Sequence, residues 1–278
     1  MEQSVAVRNA ERIAGIAQEA FDLLLAGRQI APFSRRAGGL DLDDAYRVAA
    51  QVRDRRQDRG ERVVGRKIGF TNRAIWTGYG ISGPIWGYMY DKTVSELSPG
   101  TSFSLAGFTE PRIEPEIVLH FKRAPSAAMD EDELLTCVDW IAHGFEIVHS
   151  IFPGWEFSAA DAVVAYGVHG ALLVGPPHYV AGDRPRWTTA LETTSIELVR
   201  NDGLCRCGHA RDVLGGPLRA VRFLLQQIAR SAEAEPLAAG EVVTTGTLTE
   251  AMPAIAGEAW HTRLHGIGID GVGPLSFC

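Results

Sequence analysis

One segment of the chain combines two closely spaced acids with an apolar, β-branched run: Pro111-Arg112-Ile113-Glu114-Pro115-Glu116-Ile117-Val118-Leu119-His120-Phe121. Side chains alternate faces along a strand, so a strand here would place Glu114 and Glu116 on one face, roughly 6 to 7 Å apart at their Cα atoms. Two carboxylates this close on an apolar segment repel each other unless a cation lies between them. The segment therefore predicts either a divalent-cation site or the solvated face of an amphipathic strand.

The composition is that of a globular protein. The chain has 278 residues, of which 46% are hydrophobic and 22% are charged, which fits one large domain or one domain with a helical extension. The net charge is −7 and no basic stripe is visible, so we expect no nucleic-acid binding. The sequence has no secretory signal pattern and no run of about 18 apolar residues, so we expect a cytoplasmic protein without a membrane span.

Residues 1–62 carry two amphipathic helical patterns. Apolar residues recur at three- and four-residue spacing from Ser4 to about Gly27 and again from Asp41 to Arg56, as expected for helices with one buried face. We therefore predict an N-terminal helical region that ends at residue 62.

From Val63 onward the pattern changes to short apolar runs interrupted by glycine and proline, which is typical of strands and loops. Helices are predicted within this part over residues 130–142 and 217–228, and residues 162–174 are predicted to form a strand. Many short strands with few helices favour a β-rich α+β domain over residues 63–278.

A third acid, Glu146, lies in the short apolar segment Phe145–Val148. Buried acids are rarely left unpaired, so Glu146 either pairs with an arginine or joins Glu114 and Glu116. Three carboxylates without a nearby cysteine form an oxygen-rich site suited to magnesium, manganese or calcium.

Lys67 and His169 both lie beside glycines. A lysine in this setting could neutralise a substrate carboxylate or transfer a proton, and its alternative is a surface position on a strand. His169 lies where a loop enters an apolar run, and is either a proton-transfer group or a hydrogen-bonded core residue. We predict both as catalytic residues.

An ordered set of motifs resembles the fumarylacetoacetate hydrolase superfamily, in particular its branch of 2-keto-4-pentenoate hydratases and 4-oxalocrotonate decarboxylases. In chain order the motifs are Gly65-Arg66-Lys67-Ile68-Gly69-Phe70-Thr71, Pro84-Ile85-Trp86-Gly87, Pro111-Arg112-Ile113-Glu114-Pro115-Glu116-Ile117, Phe145-Glu146-Ile147-Val148, Leu214-Gly215-Gly216-Pro217-Leu218, and Thr245-Gly246-Thr247-Leu248-Thr249 followed by Ala256-Gly257-Glu258.

The resemblance implies a mixed β-sandwich or β-roll with an N-terminal helical region, and Mg²⁺ or Mn²⁺ held by Glu114, Glu116 and Glu146. It implies a hydro-lyase that adds water to a small 2-oxo or 2-hydroxydienoic acid of aromatic catabolism, through a metal-chelated enolate. Decarboxylation of a 2-oxo-hexenedioate, hydrolysis of an acylpyruvate carbon–carbon bond and a non-catalytic partner subunit are the alternatives. Family members also imply a homo-oligomer, with association with a pathway enzyme as a further alternative.

The same resemblance places the substrate beside five residues: Lys67, Thr71, Ile85, Thr247 and Leu248. Hydratase members carry an acid where this chain has Ile85, and they carry paired serines shortly after an aspartate, where Asp161 is here followed by apolar residues. The loss of the acid removes a group that could activate water and favours decarboxylation. These two differences leave the reaction open while retaining the predicted metal ligands.

Overall fold

The computed structural model describes residues 2–182 and 184–278. Its α-helices are α1 (Glu2–Ala26), α2 (Leu42–Asp58), α3 (Trp76–Tyr79), α4 (Glu131–Cys137), α5 (Ala159–Val164), α6 (Arg184–Thr193) and α7 (Pro217–Arg230). Its strands are β1 (Val63–Gly69), β2 (Ile85–Tyr90), β3 (Val94–Glu96), β4 (Ser102–Phe103), β5 (Arg112–Phe121), β6 (Val138–Val148), β7 (His169–Val174), β8 (His178–Tyr179), β9 (Ser195–Arg200), β10 (Cys205–His209), β11 (Val242–Thr244), β12 (Met252–Pro253), β13 (Ala259–His265) and β14 (Leu275–Phe277). None of the described helices combines the length and apolarity that a membrane span needs.

The strands form two sheets, and the predicted β-rich α+β class is confirmed. The larger sheet has the order β2-β1-β11-β5-β6-β7-β3, with β12 added to β5 and β8 added to β6, and the smaller has the order β10-β9-β13-β14-β4. Strand β5 pairs with β6 and with β11 in antiparallel fashion. The strand with the two acids is therefore the centre of the large sheet, between neighbours on both sides.

The centre of β5 is buried on both faces. Consecutive residues from Pro115 to Leu119 are all buried, and Glu116 is 0% exposed. The alternative of a solvated acidic face is therefore wrong for Glu116, because both faces of this strand are covered at that point.

The helical region packs as predicted from its periodicity, but it shares its core with the rest of the chain. Buried residues of α1 and α2 form one cluster with Val148, Ile151 and the apolar residues of α5. Because this cluster joins residues from both sides of position 62, the division into domains 1–62 and 63–278 stays a prediction.

Two predicted elements are wrong at their ends. Helix α4 stops at Cys137, and Val138 to Val148 form the strand β6, because ten residues of β6 pair with the ten residues of β5. The strand predicted from residue 162 begins only at His169, since a capping box of Ser158 and Asp161 starts helix α5 first. Such a box satisfies free N–H groups at the helix start.

Candidate metal and active site

The three predicted acids meet where β5 pairs with β6. The strand register sets Glu114 directly opposite Glu146, and Glu116 follows two residues later on the same face. One carboxylate oxygen from each of the three lies within 4.8 Å of the others. Antiparallel pairing thus brings Glu146 to the two acids of β5, which lie some thirty positions earlier in the sequence. All three acids of the group lie on strands.

Two oxygens of this cluster have no hydrogen-bond donor. Glu116 Oε1 and Glu146 Oε2 are buried and without a hydrogen-bond partner among the described residues. The other oxygen of each is held, since Gly246 N–H donates to Glu116 Oε2 at 2.7 Å and His169 Nδ1 lies 2.7 Å from Glu146 Oε1. Three carboxylates whose oxygens converge within 4.8 Å of one another form a ligand set that a hard divalent cation binds. The residues present therefore fit such a metal.

Lys67 lies beside the acids on β1. Its side chain is 2% exposed, and its ammonium donates to the carbonyl oxygen of Gly167 at 2.9 Å and lies 3.5 Å from Glu146 Oε2. Burial lowers the pKa of Lys67, but the charges of Glu146, Glu114 and Glu116 outweigh burial and raise it above its ordinary value. Lys67 is therefore a fixed cation beside the metal ligands, and the alternative of a surface lysine is wrong.

The three acids differ in their electrostatic environment. Burial and the charge of Glu146 raise the pKa of Glu116 well above its ordinary value, and burial raises that of Glu114 to about 7. Burial acts in the same direction on Glu146, but Lys67 and His169 outweigh it and lower its pKa. Without a metal, Glu146 is therefore the most acidic of the three carboxyls, and Glu114 and Glu116 keep their protons to higher pH than ordinary glutamates.

The affinity for Mg²⁺ is expected to rise with pH up to about 7. Because the pKa of Glu114 is raised to about 7 and that of Glu116 is raised well above its ordinary value, protons must leave these ligands before metal binds, so affinity should rise by about tenfold or more per pH unit below pH 7. The stability of the metal-free protein should change in the opposite direction. Because Glu114 holds its proton more tightly in the folded than in the unfolded chain, the free energy of unfolding falls as pH rises from 4.5 to about 7. Calorimetric titration with Mg²⁺ at several pH values measures the first effect, and a pH-independent affinity would contradict it.

A cavity of about 940 Å³ opens over the acids. Its lining includes Lys67, Glu114 and Glu116 together with the four residues predicted from the resemblance to contact substrate: Thr71, Ile85, Thr247 and Leu248. Ile85 is 2% exposed and forms an apolar part of the wall. These residues come from β1 and the loop after it, from β2 and β5, and from the loop after β11, and the sheet order places β2, β1, β11 and β5 side by side.

His169 lies behind the acids. Its ring is 2% exposed, with Nδ1 on Glu146 and Nε2 at 2.9 Å from the hydroxyl of Thr93. The described lining of the cavity includes Val168 but not His169. This position is that of a hydrogen-bonded core residue, the alternative noted from sequence, although its partner is a candidate metal ligand.

Asp161 and the apolar residues after it are also away from the cavity. Asp161 is 0% exposed, caps α5 and accepts from the Ser34 backbone N–H and hydroxyl, while Ala162, Val163 and Val164 belong to the core shared with α1 and α2. The segment is structural, so its lack of serines has no direct bearing on the described cavity wall.

Sequence reasoning missed several cationic and aromatic residues of the cavity, including Arg73, Arg112, Arg211 and Trp155. Arg112 had a readable signal, because it lies two positions before Glu114 and therefore shares its face of β5. Its guanidinium lies 4.3 Å from the ring centre of Trp155. Trp155 itself had no such signal, since it comes from a loop that only folding brings to β5.

The family model described as fumarylacetoacetate (FAA) hydrolase C-terminal matches residues 84–271, a segment that contains the three acids and the loop after β11. The chain therefore belongs to the fumarylacetoacetate hydrolase family.

Within that family, the chain is similar to hydratases and to a decarboxylase. It is 27% identical to the 2-hydroxyhexa-2,4-dienoate hydratase of Comamonas testosteroni, over 90% of this chain and 93% of the relative. It is 25% identical to a 4-oxalocrotonate decarboxylase of Pseudomonas putida, over 94% and 96% of the two chains. The solved structure of 4-oxalocrotonate decarboxylase from Pseudomonas putida G7, complexed with magnesium and adipate, superposes with a TM-score of 0.87 at 22% identity, covering 97% of this chain and 98% of the other.

Proposed function

We propose that the protein is a divalent-metal-dependent hydro-lyase that adds water to a small 2-oxo or 2-hydroxydienoic acid. The observation that carries the proposal is the group of three converging carboxylates beside Lys67, of which Glu114 and Glu116 line the cavity together with the lysine. The similarity to dienoate and pentenoate hydratases over nine-tenths of the chain supports this substrate class.

Each residue has a role that follows from its position. Glu114, Glu116 and Glu146 would hold Mg²⁺ or Mn²⁺, which as a Lewis acid polarises a substrate oxygen. The Lys67 ammonium neutralises the substrate carboxylate and can hold or deliver a proton at Nζ. The hydroxyls of Thr71 and Thr247 orient the polar end of the acid, while Ile85 and Leu248 pack against its carbon chain and exclude water from that side.

Decarboxylation of a 2-oxo-hexenedioate is the second candidate, and two observations favour it. Ile85 lines the wall with an apolar side chain, so position 85 supplies no acid that could activate water. Arg112 lies two residues before Glu114 on β5, a distance of roughly 6 to 7 Å, and lines the same cavity. Arg112 is therefore placed to bind the second carboxylate of a dicarboxylic substrate.

Assays of the purified protein with Mg²⁺ separate these reactions. A 2-hydroxydienoate should lose its ultraviolet absorbance without release of carbon dioxide, because water adds across the conjugated system. Carbon dioxide from a 2-oxo-hexenedioate, with no hydration of the dienoate, would replace the first proposal by the second. Pyruvate released from an acylpyruvate would instead indicate the carbon–carbon hydrolase, and no turnover of any of the three would favour the non-catalytic subunit.

We propose that His169 acts on the metal through Glu146. Replacing His169 with alanine removes the hydrogen bond that fixes Oε1 of Glu146, and loss of such a partner weakens metal binding by about 10- to 100-fold. Calorimetry with Mg²⁺ measures this effect, and activity should recover at high metal concentration if His169 takes no part in proton transfer.

A matched control for this substitution is His149→Ala, because His149 is also buried at 6% exposure and is bonded to Thr109 rather than to an acid of the cluster. Its affinity for Mg²⁺ should stay within about twofold of the unchanged protein. If metal saturation leaves His169→Ala inactive, the imidazole is instead a catalytic acid or base.

We further propose that the protein is cytoplasmic and that it forms a homo-oligomer; the family resemblance supports only the oligomer. Light scattering on the purified protein should give a mass that is a multiple of one chain. Co-purification with a pathway enzyme would test the proposed association, and a monomeric mass would contradict the oligomer.

A further inference from the structure

Gly167 and Val168 line the cavity beside Lys67, and together with Tyr166 they form a turn in an unfavourable backbone conformation. All three residues have positive φ, at 59° for Tyr166, 66° for Gly167 and 61° for Val168. The left-handed region is disfavoured for side chains with a Cβ, most of all for a β-branched one. Such a conformation persists only where the surrounding structure holds it, and it commonly occurs at functional sites.

This turn fixes the position of Lys67. The carbonyl of Gly167 accepts the bond from the Lys67 ammonium at 2.9 Å, and a Cβ on Gly167 would lie 2.8 Å from Lys67 Cδ. On the next strand a Cβ on Gly87 would lie 2.3 Å from the Tyr166 carbonyl oxygen. Gly87 is the β2 partner of Lys67, so the turn packs directly on the strand pair that carries the lysine.

The other side of the turn is held by Arg56 of helix α2. Its guanidinium lies 3.8 Å from the ring centre of Tyr90 and 4.9 Å from that of Tyr166, and Glu61 accepts two of its hydrogen bonds at 2.5 and 2.8 Å. Arg56 is 7% exposed and Tyr166 is 6% exposed. A cation over two desolvated aromatic rings is strongly attracted to them, and here it binds the tyrosine from which the turn begins.

We propose that Arg56 is a positioning residue for Lys67, acting through the Tyr166-Gly167-Val168 turn. The N-terminal helical region then does more than cover the sheet, because the Arg56 guanidinium holds the turn that positions the Lys67 ammonium at the cavity. This inference rests on the proposed role of Lys67 in substrate binding, and it assigns no chemistry to Arg56 itself.

The matched control lies one helical turn earlier. Arg53 also joins α2 to β2, with its guanidinium 5.4 Å from the Tyr88 ring and a hydrogen bond of 3.0 Å to the Tyr88 hydroxyl. Its side chain is 12% exposed, against 8% for Arg56. Arg53→Met therefore loosens the same helix from the same strand without touching the turn.

The test compares Arg56→Met with Arg53→Met, measuring thermal unfolding, kcat, KM, and affinity for Mg²⁺ and for oxalate with saturating Mg²⁺. Oxalate is the probe because its carboxylates stand in for the 2-oxo acid that Lys67 would pair. Arg56→Met should lower kcat and oxalate affinity about tenfold or more, whereas Arg53→Met should lower only the melting temperature. Equal effects of the two substitutions on kcat and oxalate affinity would overturn the proposal, because both would then act through stability alone.

Two further variants make the test independent of folding and of turnover. Glu61→Gln weakens the hydrogen bonds that fix the Arg56 guanidinium but leaves the guanidinium in place. This variant should therefore lose oxalate affinity, but by less than Arg56→Met. In a Lys67→Met background, Arg56→Met should cause no additional loss, because it acts through the lysine; additive losses would contradict this route. If no dienoate is turned over by the unchanged protein, the proposed reaction fails, while the oxalate measurements still decide the role of Arg56.

Discussion

Replacing Glu116 with glutamine is expected to weaken Mg²⁺ binding by at least about 100-fold, equivalent to about 2.7 kcal/mol, and to remove activity at ordinary metal concentrations. Glutamine has the shape of the acid but no charge, and Glu116 carries one of the two unpartnered buried oxygens of the cluster. The fold should survive, because burial already favours the neutral form of this side chain. Calorimetric titration with Mg²⁺ and a thermal melt measure the two effects separately.

Glu96→Gln is the control for this experiment, since Glu96 belongs to the same sheet on β3 and is exposed. Its Mg²⁺ affinity should stay within about twofold of the unchanged protein. Undiminished binding in Glu116→Gln would show that the three acids do not form the metal site.

Replacing Lys67 with methionine is expected to lower kcat/KM by about a thousandfold, or about 4 kcal/mol of transition-state stabilisation, while Mg²⁺ binding is retained. Methionine fills the same buried space, but it removes the cation that faces the substrate. Removing a positive charge 3.5 Å from Glu146 removes repulsion against the metal but also raises the pKa of the acids, which Lys67 lowers. The two effects oppose each other, so Mg²⁺ affinity should change far less than kcat/KM. Steady-state kinetics at saturating metal, with calorimetry for the metal itself, give both numbers.

The two substitutions therefore separate metal binding from substrate chemistry. Lys122→Met is the control, because Lys122 is an exposed lysine just after β5, and its kinetics should be unchanged. A Lys67→Met protein with full activity would leave the lysine only its structural bond to Gly167, and the inference about Arg56 would lose its basis.

The central strand and the helical periodicities were readable from local sequence. The apolar run after Glu114 and Glu116 predicted β5, and the spacing of apolar residues predicted α1 and α2, because both signals are local and period-dependent. The ends of other elements were not readable in this way. Residues 138–142 continue a helical pattern, but the long pairing of β6 with β5 determines their conformation.

The site residues likewise divide into those that local sequence predicted and those that only the folded chain brings into place. Strand alternation aligned Glu114 with Glu116, and an acid in an apolar segment marked Glu146 as a residue that needs a partner. The position of His169 behind Glu146, instead of in the cavity, depends on the pairing of β6 with β7. Neither sequence spacing nor residue type carries information on which side of a carboxylate a distant imidazole will lie.

By itself the sequence determined that three carboxylates and a lysine lie within short apolar segments; if these segments are buried strands, the charges cannot remain unpaired at low cost. Only the tertiary structure decided that their atoms converge, that Ile85 closes one wall, and that Arg56 reaches the lysine through a left-handed turn. The physical reason is that the tendency of a side chain to be buried is set by its own polarity and by that of its immediate segment. Convergence depends on strand register and on packing between elements that are distant in the sequence, such as those of Lys67 and Gly167, whose separation is 100 positions.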